Sequence, residues 1–188
     1  MKRVLFGLAM GAAAAVVAGC GNMGGTGSTP PSASSSLGAS KATAALMPKS
    51  GTNTAGRVNF DQQTGGGTLV TVQVSGLAPG SVHGFHVHEK GDCSAPDAMS
   101  AGGHFNPTGK QHGQMTMGEH HAGDMNNLTA DASGNVRVQF VMADVTVTPG
   151  PASVVGRAVV VHKDPDDYRT QPTGNSGGRI ACGVISAS

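Results

Sequence analysis

Two stretches of the chain alternate apolar and polar side chains with a period of two. They are Thr68 to Ser75 (TLVTVQVS), where only Leu69 beside Val70 is out of step, and Asn135 to Met142 (NVRVQFVM). Such alternation builds a strand with one face on a core and the other in water. Turn-forming clusters punctuate the chain at 64–67 (TGGG), 78–80 (APG), 131–135 (DASGN) and 149–151 (PGP). No segment sustains the 3.6-residue period of an amphipathic helix, and the apolar residues are mainly valine and alanine. The pattern predicts an all-β sandwich or barrel of about eight short strands. Two stretches, 91–127 and 163–179, break the regularity, and long loops in a compact domain are usually functional.

The first 40 residues have a different texture. Lys2 and Arg3 precede an uncharged run of small and apolar residues, 4–19, which is too short and too rich in Ala and Gly to be a spanning helix. The layout is that of a signal peptide over 1–19, and Val17-Ala-Gly-Cys20 resembles the lipobox of bacterial lipoproteins, whose cysteine is acylated. An ordinary cleaved signal, with Cys20 incidental, is the alternative, and either reading exports the protein. Residues 20–40 are dominated by Gly, Ser, Thr and Pro, a composition that cannot fill a core and behaves as a flexible tether. The folded domain is therefore expected over 41–188.

Net charge changes the picture little. At +1 it argues against a dedicated nucleic-acid binder. The cysteines say more: if Cys20 takes a lipid, Cys93 and Cys182 remain, and an exported chain can pair them.

The chain holds 8 histidines, and three of them fall in His83-Gly-Phe-His86-Val-His88. Read as a strand over Val82 to Glu89, the segment turns His86 and His88 to one face and His83 to the other. An in-phase imidazole pair is suited to chelating a metal, whereas His83 reads as structural, hydrogen-bonded to a backbone group. The first long loop adds His104, His112, His120, His121 and Asp124, and three imidazoles with a carboxylate suit zinc or another borderline divalent ion. His162 closes the run RAVVVH.

The segments GFHVHEKGD, SAGGHFNP, HHAGDMNNLTAD, AVVVHKD and GNSGGRIACGVI, taken in order, resemble the signature segments of copper/zinc superoxide dismutase, and the position of Cys93 resembles the exported bacterial branch. The resemblance implies an eight-stranded Greek-key barrel and dismutation of superoxide anion to oxygen and hydrogen peroxide. It implies one copper on His86, His88, His104 and His162, and one zinc on His104, His112, His121 and Asp124, with His104 as the bridge and proton carrier. It also implies Arg179 beside the copper, a Cys93 to Cys182 disulfide, and an acidic residue, Asp166 rather than its neighbours Asp164 or Asp167, holding histidines of both metals. His120 matches no ligand position and reads as a solvated loop histidine. Met115, Met117 and Met125 read as adaptable filling of a flexible loop, with a transient copper-loading surface as the alternative, and Lys90, Lys110 and Lys163 read equally as solvated loop charges or as contributors, with Arg179, to the attraction of the anion. The branch includes monomers and homodimers, and a periplasmic protein anchored to the Gram-negative outer membrane is expected because Gly21 is not an acidic retention residue. The competing reading is a non-catalytic copper/zinc-binding lipoprotein on the same sandwich.

Overall fold

The alternation over 68–75 becomes a strand of the same bounds in the computed structural model, which describes residues 40–188. Thr68, Val70, Val72 and Val74 point inward, and Leu69 is half-buried on the outer face, so the inward phase begins at Thr68 and Leu69 is the residue out of place. The signal segment, Cys20 and nearly all of the tether lie outside the described residues.

Among the described residues ten strands follow in chain order: β1 Lys41–Pro48, β2 Ala55–Gln62, β3 Thr68–Ser75, β4 Val82–His83, β5 Phe85–His88, β6 Leu128–Thr129, β7 Val136–Met142, β8 Ala158–His162, β9 Arg179–Val184 and β10 Ser186–Ala187. One sheet runs β5-β8-β9-β1-β2-β3-β7, with β10 also on β1, while β4 and β6 form a separate pair. Every strand pair is antiparallel, and the order requires long crossings between sequence-distant strands. The only helical element among the described residues is a single 3-10 turn, Met99–Ala101. β7 ends the path with one neighbour, so Val138 stays 39% exposed although it stands in the inward phase.

The sheet curls around Leu46, Val58, Phe60, Val70, Val72, Phe85, Val87, Leu128 and Ile185, all essentially inaccessible to solvent. Each such side chain contributes on the order of 1.5–3 kcal/mol by leaving water, which is the main drive for curling.

The strand read over Val82 to Glu89 is in fact two strands separated at Gly84. β4 pairs with β6 whereas β5 pairs with β8, and the backbone of Gly84 leaves the ladder to bond Asp164 O and His162 N. A β-carbon at Gly84 would sit 2.7 Å from Cβ of Ser176, so only glycine permits this approach. Within β5 the predicted parity stands: Phe85 and Val87 enter the core, and His86 and His88 face the other way. That second face is also buried, because loop segments 103–105 and 123–124 lie against β5 through bonds from Val87 N to Gly123 O, Phe105 N to Val87 O and Glu89 N to Gly103 O.

Cys93 and Cys182 form a disulfide across 89 residues of chain. It ties the first long loop to β9, the strand that starts with Arg179.

Candidate metal centre

Four histidines converge behind β5. His86 and His88 come from the strand itself, His162 from the end of the adjacent β8, and His104 from the loop segment bridged to His88. A second group, His104, His112, His121 and Asp124, comes wholly from the first long loop, and the bridge between His86 and Asp124 brings its carboxylate alongside β5. Within each group one ligand-type atom per residue lies within 4.8 Å of all the others, and all seven residues are buried. His104 belongs to both.

The hydrogen bonds show which nitrogen each ring leaves free. His86 donates from Nε2 to Asp166 Oδ2 at 2.8 Å, and His112 donates from Nε2 to Asp166 Oδ1 at 2.9 Å. Nδ1 of His86 is thereby the acceptor nitrogen of a neutral ring, whereas Nδ1 of His112 lies 3.0 Å from Asp124 Oδ2. His88 donates from Nδ1 to Gly102 O at 2.9 Å, and its Nε2 faces Nε2 of His162 at 3.2 Å. Three buried ring nitrogens, Nδ1 of His86 and His121 and Nε2 of His104, have no hydrogen-bond partner. Buried polar atoms normally find one, and lone pairs converging in two tetrads are what two metal ions would satisfy. The four-imidazole group suits copper, and the group with three imidazoles and a carboxylate suits zinc, so the residues fit both ions.

Asp166 is the member of the Asp164, Asp166, Asp167 trio that links the two groups. Asp167 is exposed and caps the following turn through Arg169 N, Thr170 N and Thr170 Oγ1. Three residues that the sequence patterns do not reveal complete the frame. Asn127 accepts from Asp166 N and donates to Asp166 O, Tyr168 donates from its backbone N to Asp166 Oδ1, and Gln171 makes two bonds to the His112 backbone. No spacing or periodicity announces them, since each acts through one contact made only in the fold. His83 sits apart from both groups, with Nδ1 donating to His162 O at 2.8 Å, and Met125 is a core residue rather than part of a mobile loop.

Burial and charge act oppositely on the two groups. Burial, then the neighbouring imidazole of His86, pulls His104 down to about 4, and burial also lowers His86, His88 and His162. Burial would lower His112 as well, but hydrogen bonds with Asp124 and Asp166 outweigh it and push it up to about 9. The same histidines hold both carboxylates well below the usual range despite their burial. A histidine lowered by folding binds its proton more readily when unfolded, so its contribution to stability is lost as pH falls below about 6.5. His112, raised by folding, stabilises below that pH and loses its effect as pH rises toward 9. Chelator-treated protein is therefore expected to be most stable near pH 6.5. A melting temperature that climbs steadily from pH 6.5 to 9 would contradict this.

Arg179 enters from the start of β9. Its Nη1 donates to Ala98 O at 2.7 Å and its Nη2 to Gly102 O at 2.6 Å, the carbonyl that also holds His88. A half-buried guanidinium is thus fixed beside the four-histidine group. Among the loop lysines, Lys110 lies 3.6 Å from Asp144, which offsets its charge.

Residues 54–185 match the family model described as copper/zinc superoxide dismutase. Copper/zinc superoxide dismutases 2 and 1 of Aquifex aeolicus (strain VF5) are each 46% identical to the chain over 127 residues, covering 65% of it and 74% and 75% of those proteins. Among solved structures, the clock protein EA4 superposes with a TM-score of 0.72 at 39% identity, over 80% of this chain and 96% of that one. A SOD-like protein from Bacillus subtilis superposes with a TM-score of 0.68 at 37% identity, over 75% and 95%. With two convergent donor groups fitted to copper and zinc and the family model matched across most of its length, the chain belongs to the copper/zinc superoxide dismutase family.

Proposed function

We propose that the chain dismutates superoxide at a copper held by His86, His88, His104 and His162, with zinc on His104, His112, His121 and Asp124 and the His104 imidazole between them. One observation carries this reading. The two ring nitrogens of His104 face different groups, Nδ1 lying 2.8 Å from Asp124 Oδ1 and Nε2 buried without a hydrogen-bond partner. When bound, copper supplies the one-electron change of each half-reaction, which zinc cannot.

Two superoxide ions and two protons give one oxygen and one hydrogen peroxide. Nε2 of His104 holds a proton between the half-reactions and gives it to the anion that becomes peroxide, a use of the two distinct nitrogens of imidazole. Asp166, bonded to His86 and His112, keeps both rings in the tautomer that presents Nδ1 inward. Arg179, always charged, draws the anion to the site and orients it. A non-catalytic metal carrier would need no such cation beside the four-histidine group.

Replacing Arg179 by alanine is expected to leave both metals bound while slowing superoxide decay about tenfold or more and flattening its dependence on salt. Pulse radiolysis of the copper- and zinc-loaded protein measures both. A full-speed variant would remove the role from Arg179, and wild-type protein no faster than buffer would sink the enzymatic reading.

We place the mature protein outside the cytoplasm, with 1–19 removed, Cys20 acylated and 20–40 as a tether to the membrane. The Cys93–Cys182 bond supports this, since disulfides persist in oxidising compartments. Mass spectrometry of membrane-extracted protein is expected to find a lipid-modified Cys20 at the N-terminus. A free Cys20, or an intact Met1, would overturn the anchor.

A further inference from the structure

Among the four histidines behind β5, His162 is the one whose outer nitrogen lies closest to a hydroxyl rather than to a carboxylate or a carbonyl. Its place in β8 is irregular. The β8–β9 ladder shifts register between Val161 and His162, so strand pairing alone does not aim the ring. A closed circuit of hydrogen bonds does. His162 N donates to Gly84 O at 2.8 Å, Gly84 N to Asp164 O at 2.9 Å, and Asp164 N to Ser176 O at 3.0 Å. The side chain of Ser176 completes the circuit, with Oγ 3.2 Å from Nδ1 of His162.

Ser176 is buried, so its hydroxyl must find protein partners both for its proton and for its lone pairs. Its second neighbour is Thr173 O at 3.0 Å, a carbonyl that can only accept. The hydroxyl proton has its place there, which leaves the oxygen lone pairs for His162. On the inner side of the ring, Nε2 lies 3.2 Å from Nε2 of His88 and is the atom turned into the four-histidine group. A neutral imidazole that ligates through Nε2 carries its proton on Nδ1 and needs an acceptor there. The other acceptor within reach, Gly177 O, is 3.4 Å away, at the long limit of a hydrogen bond. The Ser176 oxygen is nearer, and Thr173 fixes its orientation.

We propose that Ser176 is a positioning residue for copper: its Oγ accepts the Nδ1 proton of His162 and so fixes the ring plane and the tautomer that offers Nε2 to the ion. The proposal rests on the copper assignment made above. Ser176 thus does for His162 what Asp166 does for His86 and Gly102 O for His88, with a neutral hydroxyl oxygen as the acceptor. Such an outer hydrogen bond also raises the basicity of the ligating nitrogen. Without it the ring keeps only the long contact to Gly177 O.

The test is the copper(II) affinity of the zinc-loaded full chain, measured by competition with a chelator, for the wild type and for Ser176→Ala, which keeps Cβ and removes only the hydroxyl. The variant is expected to bind copper(II) about tenfold more weakly, the loss usual for a missing outer partner of a ligand. Its zinc affinity is expected to be unchanged, since the hydroxyl bonds no residue peculiar to the zinc group. Its cupric electron paramagnetic resonance spectrum is expected to shift, because one ligating ring has lost its aim. Wild-type affinity and spectrum in the variant would overturn the proposal by showing that Gly177 O suffices. Equal losses for both ions would overturn it too, since Ser176 would then only support the fold. A second measurement needs no variant: in wild-type protein loaded with zinc and diamagnetic copper(I), the Nδ1 proton of His162 is expected to give a nitrogen-coupled NMR signal that exchanges slowly with water. Rapid exchange of that proton would show that no acceptor holds it, and the proposal fails. If the wild type gives no cupric spectrum with nitrogen ligands, the copper assignment itself fails and the proposal with it.

Discussion

Replacing His104 by alanine is expected to slow copper-dependent superoxide decay by a factor of about 10² to 10⁴, the range over which a positioned proton donor contributes. The loss is large because one side chain serves three purposes. It is the member common to both donor groups, it is the proposed proton carrier, and its ring stacks at 3.9 Å on that of His86. Each group keeps three donors without it, so metal content measured alongside the rate separates a lost ligand from a lost proton carrier. The decay is followed by pulse radiolysis on protein loaded with both ions. A His104→Ala protein that retains copper and runs within a few-fold of wild type would end the assignment of the proton step to this residue.

Removing the disulfide with Cys93→Ala and Cys182→Ala together is expected to lower the melting temperature by roughly 10 °C or more. A bond that closes a loop of this length, 89 residues, contributes about 4 to 5 kcal/mol by restricting the unfolded chain. In a domain of about 150 residues each kcal/mol moves the transition by about 2–4 °C. Alanine is chosen because Cys182 is wholly buried and a serine hydroxyl there would add its own desolvation cost. The same variant should lose rate, since the loop that Cys93 anchors supplies Ala98 O and Gly102 O, the acceptors that hold Arg179. Calorimetry of the wild-type and double-variant proteins decides the matter; melting within about 2 °C of wild type would show that the loop is held by its other contacts. Those include Lys49 Nζ, which donates to Cys93 O and Ala95 O.

The strand content and the chemistry were legible for different reasons. β3 was readable because both neighbours of every residue in it alternate between core and solvent, so period two survives in the side chains. β7 was readable to within one residue, although its alternation weakens where it has a neighbour on one side only. The segment 82–89 misled because Gly84 is compatible with a strand in sequence, and its backbone leaves the ladder to bond His162 and Asp164, far along the chain. His120 misled in a similar way. Its neighbours mark a polar loop, and only the fold brings its Nε2 within 3.5 Å of Asp144 and leaves its side chain 14% exposed.

By itself the sequence determined the all-β class, the shared face of His86 and His88 and the residue types of the donor groups, because side-chain parity and donor chemistry are local properties. The family resemblance in the sequence implied Asp166 and His104, and tertiary structure supplied the contacts by which Asp166 spans His86 and His112, the place of His104 in both groups, and the frame of Asn127, Tyr168 and Gln171. Those facts depend on distances between segments that the chain order leaves far apart. They are set only when the sheet curls and the two long loops close over β5.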